Sequence, residues 1–349
     1  MEGLRVAVVG AGYMGSAHAR VLARIREDYP GLIEGGYVVD VDLSRARRVA
    51  ARYGWEPLGS VDQLPGRVDF AFVVVPTRLH LEVSLRLLER GVGGLLVEKP
   101  LTSTAAEAAR LLEAVEKAGA WAAVGHIERV NPAVWALHRA VGRGLVGDVL
   151  GASARRVGPY APRAGDIDVV HDLAVHEADN LMALFSRLPD DLAAYVYGGL
   201  VSGLADHALL VAGFDGRYAS VEVSRITPYK QRLLHLTGSK AVAELDYMAQ
   251  RLIVHTEEGE TLLRVEREEP LYLEDLIVLL EYRAGARSIL DASTGAAAVA
   301  FCDAALSGGR GAWDTVSGWT GDALEAYHRY SKAARGHRGP MDYAQSLIR

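Results

Sequence analysis

The stretch Val6-Ala7-Val8-Val9-Gly10-Ala11-Gly12-Tyr13-Met14-Gly15 decides the fold of the first half of this chain. Four apolar, mostly β-branched residues lead into three glycines spaced G-x-G-x-x-G, and a helix-compatible segment, 16–26, follows. This order predicts a buried parallel strand, a tight turn and a helix. Gly10 would permit the turn, Gly12 would let a pyrophosphate approach the backbone, and Gly15 would let the helix pack close to the strand. The stretch therefore predicts dinucleotide binding, with a plain strand–turn–helix as the alternative.

Length and composition fit a protein of two globular domains. The chain has 349 residues, half of them apolar, and a net charge of -6. Because acids and bases are interspersed, nucleic acid is not an expected partner. A single cysteine, Cys302, excludes an intramolecular disulfide. The sequence shows neither a signal peptide nor an apolar run of about 20 residues, so we expect a cytoplasmic protein without a membrane partner.

The second predicted strand, 36–40, ends in an acid that bears on the choice of cofactor. Asp40 follows the glycines at close to the spacing at which a carboxylate binds the adenine-ribose hydroxyls. A carboxylate at this position would repel the additional phosphate of NADP, so the sequence favours NAD. Arg45 and Arg47 in the next helix could weaken that discrimination and leave use of NADP open. The alternative for Asp40 is a turn residue at the end of a strand.

Near-continuous apolar strands alternate with helices up to Gly125, which predicts a parallel sheet covered on both faces. Two of these strands lead into polar residues, the first into His80 and the second into Glu98-Lys99-Pro100. Ligands of such sheets bind at the carboxyl ends of the strands. Lys99 is therefore a strong candidate site residue, with an exposed strand-end charge as the alternative.

From Asp148 onward, short β-rich segments separated by turn residues predict a mostly antiparallel sheet. One helix, 171–186, interrupts them and carries Asp172 and His176 at i and i+4, on one helical face. A histidine beside a carboxylate is suited to proton transfer near neutral pH. The alternatives are a surface ion pair and a metal site drawn from this helix. No H-E-x-x-H motif or additional cysteine supports a metal, and none is predicted.

Taken together, these motifs resemble the Gfo/Idh/MocA oxidoreductases (glucose–fructose oxidoreductase, inositol dehydrogenase and rhizopine catabolism). The resemblance spans about residues 4–306 and rests on the glycine turn, Asp40, the Glu98-Lys99-Pro100 tripeptide and the D-L-A-V-H helix. It implies an α/β fold with an N-terminal Rossmann domain, 1–125, and a C-terminal α/β domain, 126–293, with a large, mostly antiparallel open sheet. It also implies a frequently cis Pro100 and a return to the Rossmann domain near 294–306. An extension, 311–349, has no assigned role.

The resemblance also implies the reaction and its residues. Lys99, Asp172 and His176 match the catalytic trio of the family: His176 would be the base, Asp172 would position the hydroxyl and the imidazole, and Lys99 would stabilise the developing alkoxide. NAD would accept the hydride. The implied cofactor contacts are Gly10, Gly12, Tyr13, Met14, Gly15, Asp40, Pro76, Thr77, His80, Glu98 and Lys99.

The substrate is predicted less directly. Segments 125–132 and 155–160 look most like those of family members that oxidise the 3-hydroxyl of UDP-N-acetylglucosamine. Arg155, Arg156 or Arg163 could pair with the diphosphate, or these arginines could be structural. The alternatives are an inositol or free-sugar 2-dehydrogenase, a non-catalytic nucleotide-binding regulator and, more distantly, a zinc hydrolase. A homodimer or homotetramer through the C-terminal sheet is expected. The candidate substrate residues are His126, Arg129, Asn131, Arg155, Tyr160 and Arg163.

Overall fold

A computed structural model describes residues 2–160, 167–201, 203–308 and 311–348 of the chain. It contains two β-sheets, of six and eight strands, with helices packed against them. This is the predicted α/β architecture of a parallel Rossmann sheet followed by a large, mostly antiparallel sheet.

The first sheet is parallel throughout and has the strand order β3-β2-β1-β4-β5-β6. Its strands carry apolar residues on both faces because helices cover both sides. The order reverses at β1, which has β2 on one side and β4 on the other, and this is where such sheets bind ligands. The strands are β1 (Leu4–Val9), β2 (Ile33–Val39), β3 (Glu56–Leu58), β4 (Phe70–Val73), β5 (Gly94–Glu98) and β6 (Trp121–Gly125). The helices between them are α1 (Tyr13–Asp28), α2 (Leu43–Tyr53), α3 (His80–Glu89) and α4 (Ala105–Ala118).

The second sheet has the order β14-β13-β12-β11-β7-β10-β9-β8. All neighbouring strands are antiparallel except β7 and β10, which are parallel. The strands are β7 (Val149–Val157), β8 (Asp191–Gly198), β9 (Ala205–Phe214), β10 (Arg217–Ser224), β11 (Gln231–Gly238), β12 (Val242–Asp246), β13 (Arg251–Thr256) and β14 (Gly259–Leu263). Each of the eight strands lies within a few residues of a segment that the sequence predicts as β-rich, namely 149–157, 193–200, 207–214, 219–226, 232–237, 241–245, 251–255 and 261–265.

The two faces of this second sheet differ. One face is covered by α5 (Pro132–Gly142), by a π-helical turn (Val170–Ala174) and by the helix that continues it, α6 (Val175–Phe185). On the opposite face, which we call the open face, alternate residues of β8, β9 and β10 are exposed and several are apolar. These exposed apolar residues are Tyr195, Tyr197, Leu209, Val211 and Tyr218.

Two long helices then return the chain to the first sheet. Helix α7 (Pro270–Arg283) packs against α1, and α8 (Ala292–Ser307) packs against α4 and α6. The predicted return near 294–306 corresponds to α8, whereas α7 was not predicted. Its residues are buried on almost every side, so its sequence lacks the one-sided apolar pattern of a surface helix.

The C-terminal extension is part of the folded core. It forms α9 (Gly311–Thr315), α10 (Thr320–Gly336) and α11 (Pro340–Ser346), and α10 packs against α5, α6 and α8. Tyr327 and Tyr330 of α10 are fully buried. Among the described helices, none is both long enough and apolar enough to cross a membrane.

Candidate active site

The glycine turn joins β1 to α1, and each glycine has its own steric reason. Gly10 has a φ of +107°, and a Cβ there would lie 2.6 Å from the Val74 carbonyl oxygen. A Cβ at Gly15 would lie 1.7 Å from the Gly10 carbonyl oxygen. A Cβ at Gly12 would instead meet no described atom within 4 Å. Gly12 also precedes α1 without a side-chain cap, so no capping side chain occupies the helix start, where backbone N–H groups can receive a phosphate.

Asp40 lies just beyond β2 and next to this turn. Its Oδ2 accepts a hydrogen bond from the Ala11 backbone N–H at 2.8 Å, and its Oδ1 accepts one from the Asp42 N–H at 2.8 Å. The carboxylate therefore fixes the glycine turn and keeps lone pairs for a ribose hydroxyl. The Arg45 guanidinium lies 3.8 Å from Asp40 Oδ2, where it could meet a ribose phosphate.

The loops after β4 and β5 are held together by His80. One ring nitrogen lies 3.0 Å from the Pro100 carbonyl oxygen and the other lies 2.9 Å from the Val75 carbonyl oxygen. Burial lowers the pKa of His80. The ring fixes these loops at the predicted cofactor edge, where Thr77 is buried and Pro76 is exposed. The Lys99–Pro100 peptide bond is cis, as the resemblance implied.

Glu98 is directed into the protein, toward His18 of α1. Its Oε1 lies 3.1 Å from His18 Nε2, and its Oε2 accepts a hydrogen bond from the Lys99 N–H at 3.0 Å. The other ring nitrogen of His18 lies 2.9 Å from Asp275 Oδ1. Burial lowers the pKa of His18, but Asp275 and Glu98 outweigh it and the net pKa is well above 6.5. Nearby Glu274 is fully buried, and neither of its carboxylate oxygens has a hydrogen-bond partner in the described structure.

Lys99 and Asp172 meet across the cleft between the two sheets. Lys99 Nζ donates to Asp172 Oδ1 at 2.9 Å and to the Asp172 carbonyl oxygen at 2.8 Å. Burial raises the pKa of Asp172, but the Lys99 charge outweighs it and the net pKa is lowered. Asp172 lies in the π-helical turn, an irregularity that often occurs at functional sites.

His176 lies in the first turn of α6, one helical turn beyond Asp172. It is 7% exposed, its Nδ1 is enclosed without a hydrogen-bond partner, and Nε2 is the ring nitrogen that is not fully enclosed. Burial, followed by the charges of Arg156 and Lys99, lowers the pKa of His176 well below 6.5. The imidazole is therefore neutral at neutral pH and can accept a proton.

Two predicted substrate residues are instead committed to the core. Arg129 is fully buried, and its Nε and Nη2 both donate to the Asp179 carboxylate at 2.8 Å. Its remaining donor, Nη1, reaches the Ile289 carbonyl oxygen. Asn131 caps α5 and donates to Glu128 and to the Tyr247 carbonyl oxygen. Both side chains are buried and bonded within the core, which argues against the substrate roles predicted for Arg129 and Asn131.

Arg155, another predicted substrate residue, points to the open face of the second sheet and away from the cleft. Its Nε donates to Glu222 of β10 at 2.8 Å, on the side opposite α6. Its neighbour Arg156 faces α6 but is fully buried, donating to Glu177 at 2.7 Å and to Glu128 at 2.9 Å.

The other predicted substrate residues have varied outcomes. His126 is buried 3.5 Å from Asp179, and burial lowers its pKa to about 4. A charge on His126 would lower the pKa of His176, so the two imidazoles lie near each other. Tyr160 is half-buried at the end of the segment that follows β7. Arg163 lies outside the described residues.

Comparison with known proteins addresses the family. A family model described as an oxidoreductase family with an NAD-binding Rossmann fold matches residues 4–126. A UDP-N-acetylglucosamine 3-dehydrogenase from Acidithiobacillus ferrooxidans is 30% identical over 256 residues, which is 72% of this chain and 77% of that protein.

The chain belongs to the Gfo/Idh/MocA family of NAD-binding oxidoreductases.

Solved structures of other proteins share this fold. A crystal form of UDP-N-acetylglucosamine 3-dehydrogenase from Acidithiobacillus ferrooxidans superposes with a TM-score of 0.79, 27% identity and coverage of 89% of this chain and 99% of that chain. A levoglucosan dehydrogenase complexed with NADH and levoglucosan has the same fold, with a TM-score of 0.77 at 17% identity, covering 91% of this chain and 98% of that one.

The glycine turn fits the NAD of this Gfo/Idh/MocA protein. The open space at Gly12 and the uncapped start of α1 form a cradle that a pyrophosphate can occupy without a steric clash. Asp40 stands where ribose hydroxyls would reach it. Other proteins of this fold have been solved with NAD or NADH bound.

Sequence reasoning missed one arginine of this site, Arg232 at the start of β11. A signal was available, because Arg232 shares the alternation of the buried residues Leu234 and Leu236. A charged residue on the inward face of a strand is unusual and marks a candidate for function. His18 and Asp275 were missed too, since they are distant in sequence.

Proposed function

We propose that this chain oxidises a secondary hydroxyl group of a sugar or nucleotide sugar. The observation that carries the proposal is the pairing of Lys99 with Asp172 next to a neutral His176, in the cleft adjoining the glycine turn. A non-catalytic regulator would have no need to keep a base, an ammonium donor and its carboxylate together at this point.

The side chains divide the chemistry among themselves. Bound NAD supplies the nicotinamide that accepts a hydride. His176 accepts the proton of the substrate hydroxyl through Nε2, while Lys99 donates a hydrogen bond to the same oxygen as negative charge develops there. Asp172 holds the Lys99 ammonium in position. The carbon loses a hydride and the oxygen loses a proton, so the product is a ketone and the electrons balance.

For the substrate, we propose oxidation of the 3-hydroxyl of UDP-N-acetylglucosamine. The support is similarity to the 3-dehydrogenase of Acidithiobacillus ferrooxidans over most of both chains. An inositol 2-dehydrogenase activity is the second candidate, because an inositol 2-dehydrogenase from an Arthrobacter species is 33% identical over 183 residues. That match covers 51% of this chain and 53% of the relative, so it supports the second candidate less strongly.

We propose that the open face pairs two copies of the chain as a homodimer or, doubled, a homotetramer. Exposed tyrosine and aliphatic side chains on β8, β9 and β10 form a contiguous apolar surface, which is typical of such an interface. Light scattering should report a mass at least twice that of one chain. The cytoplasmic location stays a prediction.

The test of the reaction is an assay of NAD reduction. Purified protein is mixed with NAD and, separately, UDP-N-acetylglucosamine, N-acetylglucosamine, glucose or myo-inositol, and absorbance of the reduced cofactor is followed. Turnover of UDP-N-acetylglucosamine above the others is expected. Turnover of myo-inositol above the others would favour the second candidate. Binding of NAD without turnover of any sugar would overturn the proposal in favour of a regulator.

A further inference from the structure

The side chain of Arg232 enters the cleft from β11. Its register partner on β7 is Arg156, so two guanidinium groups lie side by side on the sheet face that carries α6. Arg156 is fully buried, whereas the Arg232 side chain is 32% exposed. Arg232 therefore reaches the cleft, and Arg156 lies in the protein beneath it.

Each of the two carboxylates nearest these arginines accepts hydrogen bonds from Arg156 and from one other residue. Glu128 accepts from Arg156 at 2.9 Å and from the Asn131 amide at 3.0 Å. Glu177 accepts from Arg156 at 2.7 Å and from the Tyr247 hydroxyl at 2.8 Å.

Within the described structure, the guanidinium of Arg232 donates no hydrogen bond. Its nearest carboxylate oxygen is Glu128 Oε1, 3.6 Å from Nη1, and this oxygen already accepts from Arg156. Asp172, the acid on the catalytic side, is taken by Lys99. Partly buried guanidinium groups are normally paired, so an unsatisfied one calls for a ligand.

Arg232 lies near His176, so a ligand bound to Arg232 would be close to the proposed reaction site. The charge of Arg232 is close enough to lower the pKa of His176. Burial, followed by the charge of Arg156, lowers the pKa of Arg232 itself, and the negative charges of Glu128, Glu177 and Asp172 oppose that lowering. The glycine turn lies on the other sheet, so Arg232 borders the substrate side of the cleft rather than the cofactor side. A substrate whose hydroxyl met His176 could extend to Arg232 with another part of the molecule.

We propose that Arg232 forms an anion-binding subsite that receives a phosphate or carboxylate group of the sugar substrate. A planar guanidinium offers two parallel donors that match the oxygen atoms of either group. The subsite rests on the proposed sugar oxidation and goes beyond it, because it makes negative charge on the substrate a requirement for tight binding. In this proposal Arg232 takes the substrate-binding role that the sequence suggested for Arg129 and Arg155, which bond to Asp179 and Glu222 instead.

The kinetic test compares Arg232→Gln and Arg232→Lys with Arg155→Gln, the matched control on the adjacent strand but the opposite sheet face. Substrates are UDP-N-acetylglucosamine, glucuronic acid as a sugar carboxylate, and the neutral N-acetylglucosamine. Arg232→Gln should raise KM for the charged substrate that the wild type uses by about 10- to 100-fold, as for loss of a hydrogen bond between charged groups. The kcat should change less than threefold and Arg232→Lys should restore part of the loss. Arg155→Gln should leave KM unchanged.

An equal KM increase for the neutral sugar, or no increase for the charged one, would overturn the subsite. The identity of the substrate whose KM rises distinguishes phosphate from carboxylate. A thermal melt confirms that the variants fold.

A binding measurement separates this inference from the proposed reaction. UDP and uridine are titrated into NAD-loaded protein by calorimetry, without any turnover. Tighter binding of UDP than of uridine, lost in Arg232→Gln but kept in Arg155→Gln, supports the subsite even if no sugar is oxidised. Oxidation of neutral sugars by a protein that binds UDP no better than uridine, and glucuronic acid no better than glucose, would overturn the subsite and leave the oxidation intact.

Discussion

Replacing Gly12 by alanine should weaken NAD binding while leaving the fold nearly unchanged. A Cβ at this position meets no described protein atom within 4 Å, and the backbone φ of -73° is open to alanine. The added methyl group therefore strains nothing in the free protein. It occupies the space through which the pyrophosphate must approach the first turn of α1.

The magnitudes follow from these contacts. Alanine is a poorer helix N-cap than glycine but restricts the unfolded chain more, so the two effects oppose each other and should leave a net change within about 1 kcal/mol. Displacing the pyrophosphate should weaken one hydrogen bond to a charged phosphate, worth about 1.5–3 kcal/mol. That loss corresponds to an increase of roughly 10- to 100-fold in the Kd for NAD.

Two measurements on Gly12→Ala check this: NAD titration by calorimetry and urea unfolding. Gly15→Ala is the matched comparison, because its Cβ would lie 1.7 Å from the Gly10 carbonyl oxygen and the backbone must shift. It should lose about 1–3 kcal/mol of stability or more. Unchanged NAD affinity in a folded Gly12→Ala variant would refute the assignment of this turn to the pyrophosphate.

Three further predictions concern buried charge. Because burial and Arg156 depress the pKa of His176, its acidic limb in kcat/KM should lie below pH 6.5, and a limb at or above 6.5 would contradict a buried neutral base. Burial raises the pKa of Glu274 well above 4.5, so the native state binds its proton more tightly and wild-type stability should fall as pH rises above 4.5. Glu274→Gln should remove the contribution of this carboxyl group, so the free energy of unfolding in urea should differ less between pH 5 and pH 8 in the variant than in the wild type. An equal difference in the two proteins would exclude this role of Glu274. Arg129→Ala should cost about 3–5 kcal/mol by leaving Asp179 unpaired, and a loss below 1 kcal/mol in the same assay would refute that pairing.

The features predictable from sequence were those whose cause is local. Gly15 meets the Gly10 carbonyl group of its own strand–turn–helix unit, and the three-glycine spacing after an apolar strand was enough to predict the turn. The contact of Gly10 with Val74, just beyond β4, could not be predicted in the same way because the two residues are far apart in the chain. The strands of the second sheet were predicted within a few residues because alternation and turn residues mark them directly. Lys99 stood out because it directly follows an apolar strand and is flanked by an acid and a proline.

The arginine that faces the substrate could not be identified from sequence, because the acid with which each arginine pairs lies far away along the chain. Arg129 pairs with Asp179, 50 positions away, and Arg155 pairs with Glu222, 67 positions away. Nothing in the local sequence distinguishes these arginines from Arg232, whose guanidinium donates no hydrogen bond to a carboxylate within the described residues and lies 3.6 Å from Glu128 Oε1. The folded C-terminal extension was hidden for a similar reason, since Tyr327 of α10 reaches Asp179 across 148 positions.

The local geometry of the catalytic helix also differs from the prediction. An ordinary helix would place Asp172 and His176 side by side through an i, i+4 contact. The structure has a π-helical turn at Asp172, whose carboxylate bonds to Lys99. Asp172 therefore holds Lys99 in place. Among the described residues, no hydrogen bond joins Asp172 to His176, so the predicted positioning of the imidazole by Asp172 has no hydrogen bond to support it.

The central claim is that His176 is the base of an NAD-dependent oxidation, and its most direct test is NAD reduction by His176→Asn. The alcohol is the one that the wild-type protein oxidises, NAD affinity is measured on the same preparations, and His207→Asn on the open face serves as the control. The rate should fall by about 10²- to 10⁴-fold, as for loss of a general base, with NAD affinity unchanged. A variant that keeps its rate within about threefold of the wild type, with NAD bound normally, would contradict the account.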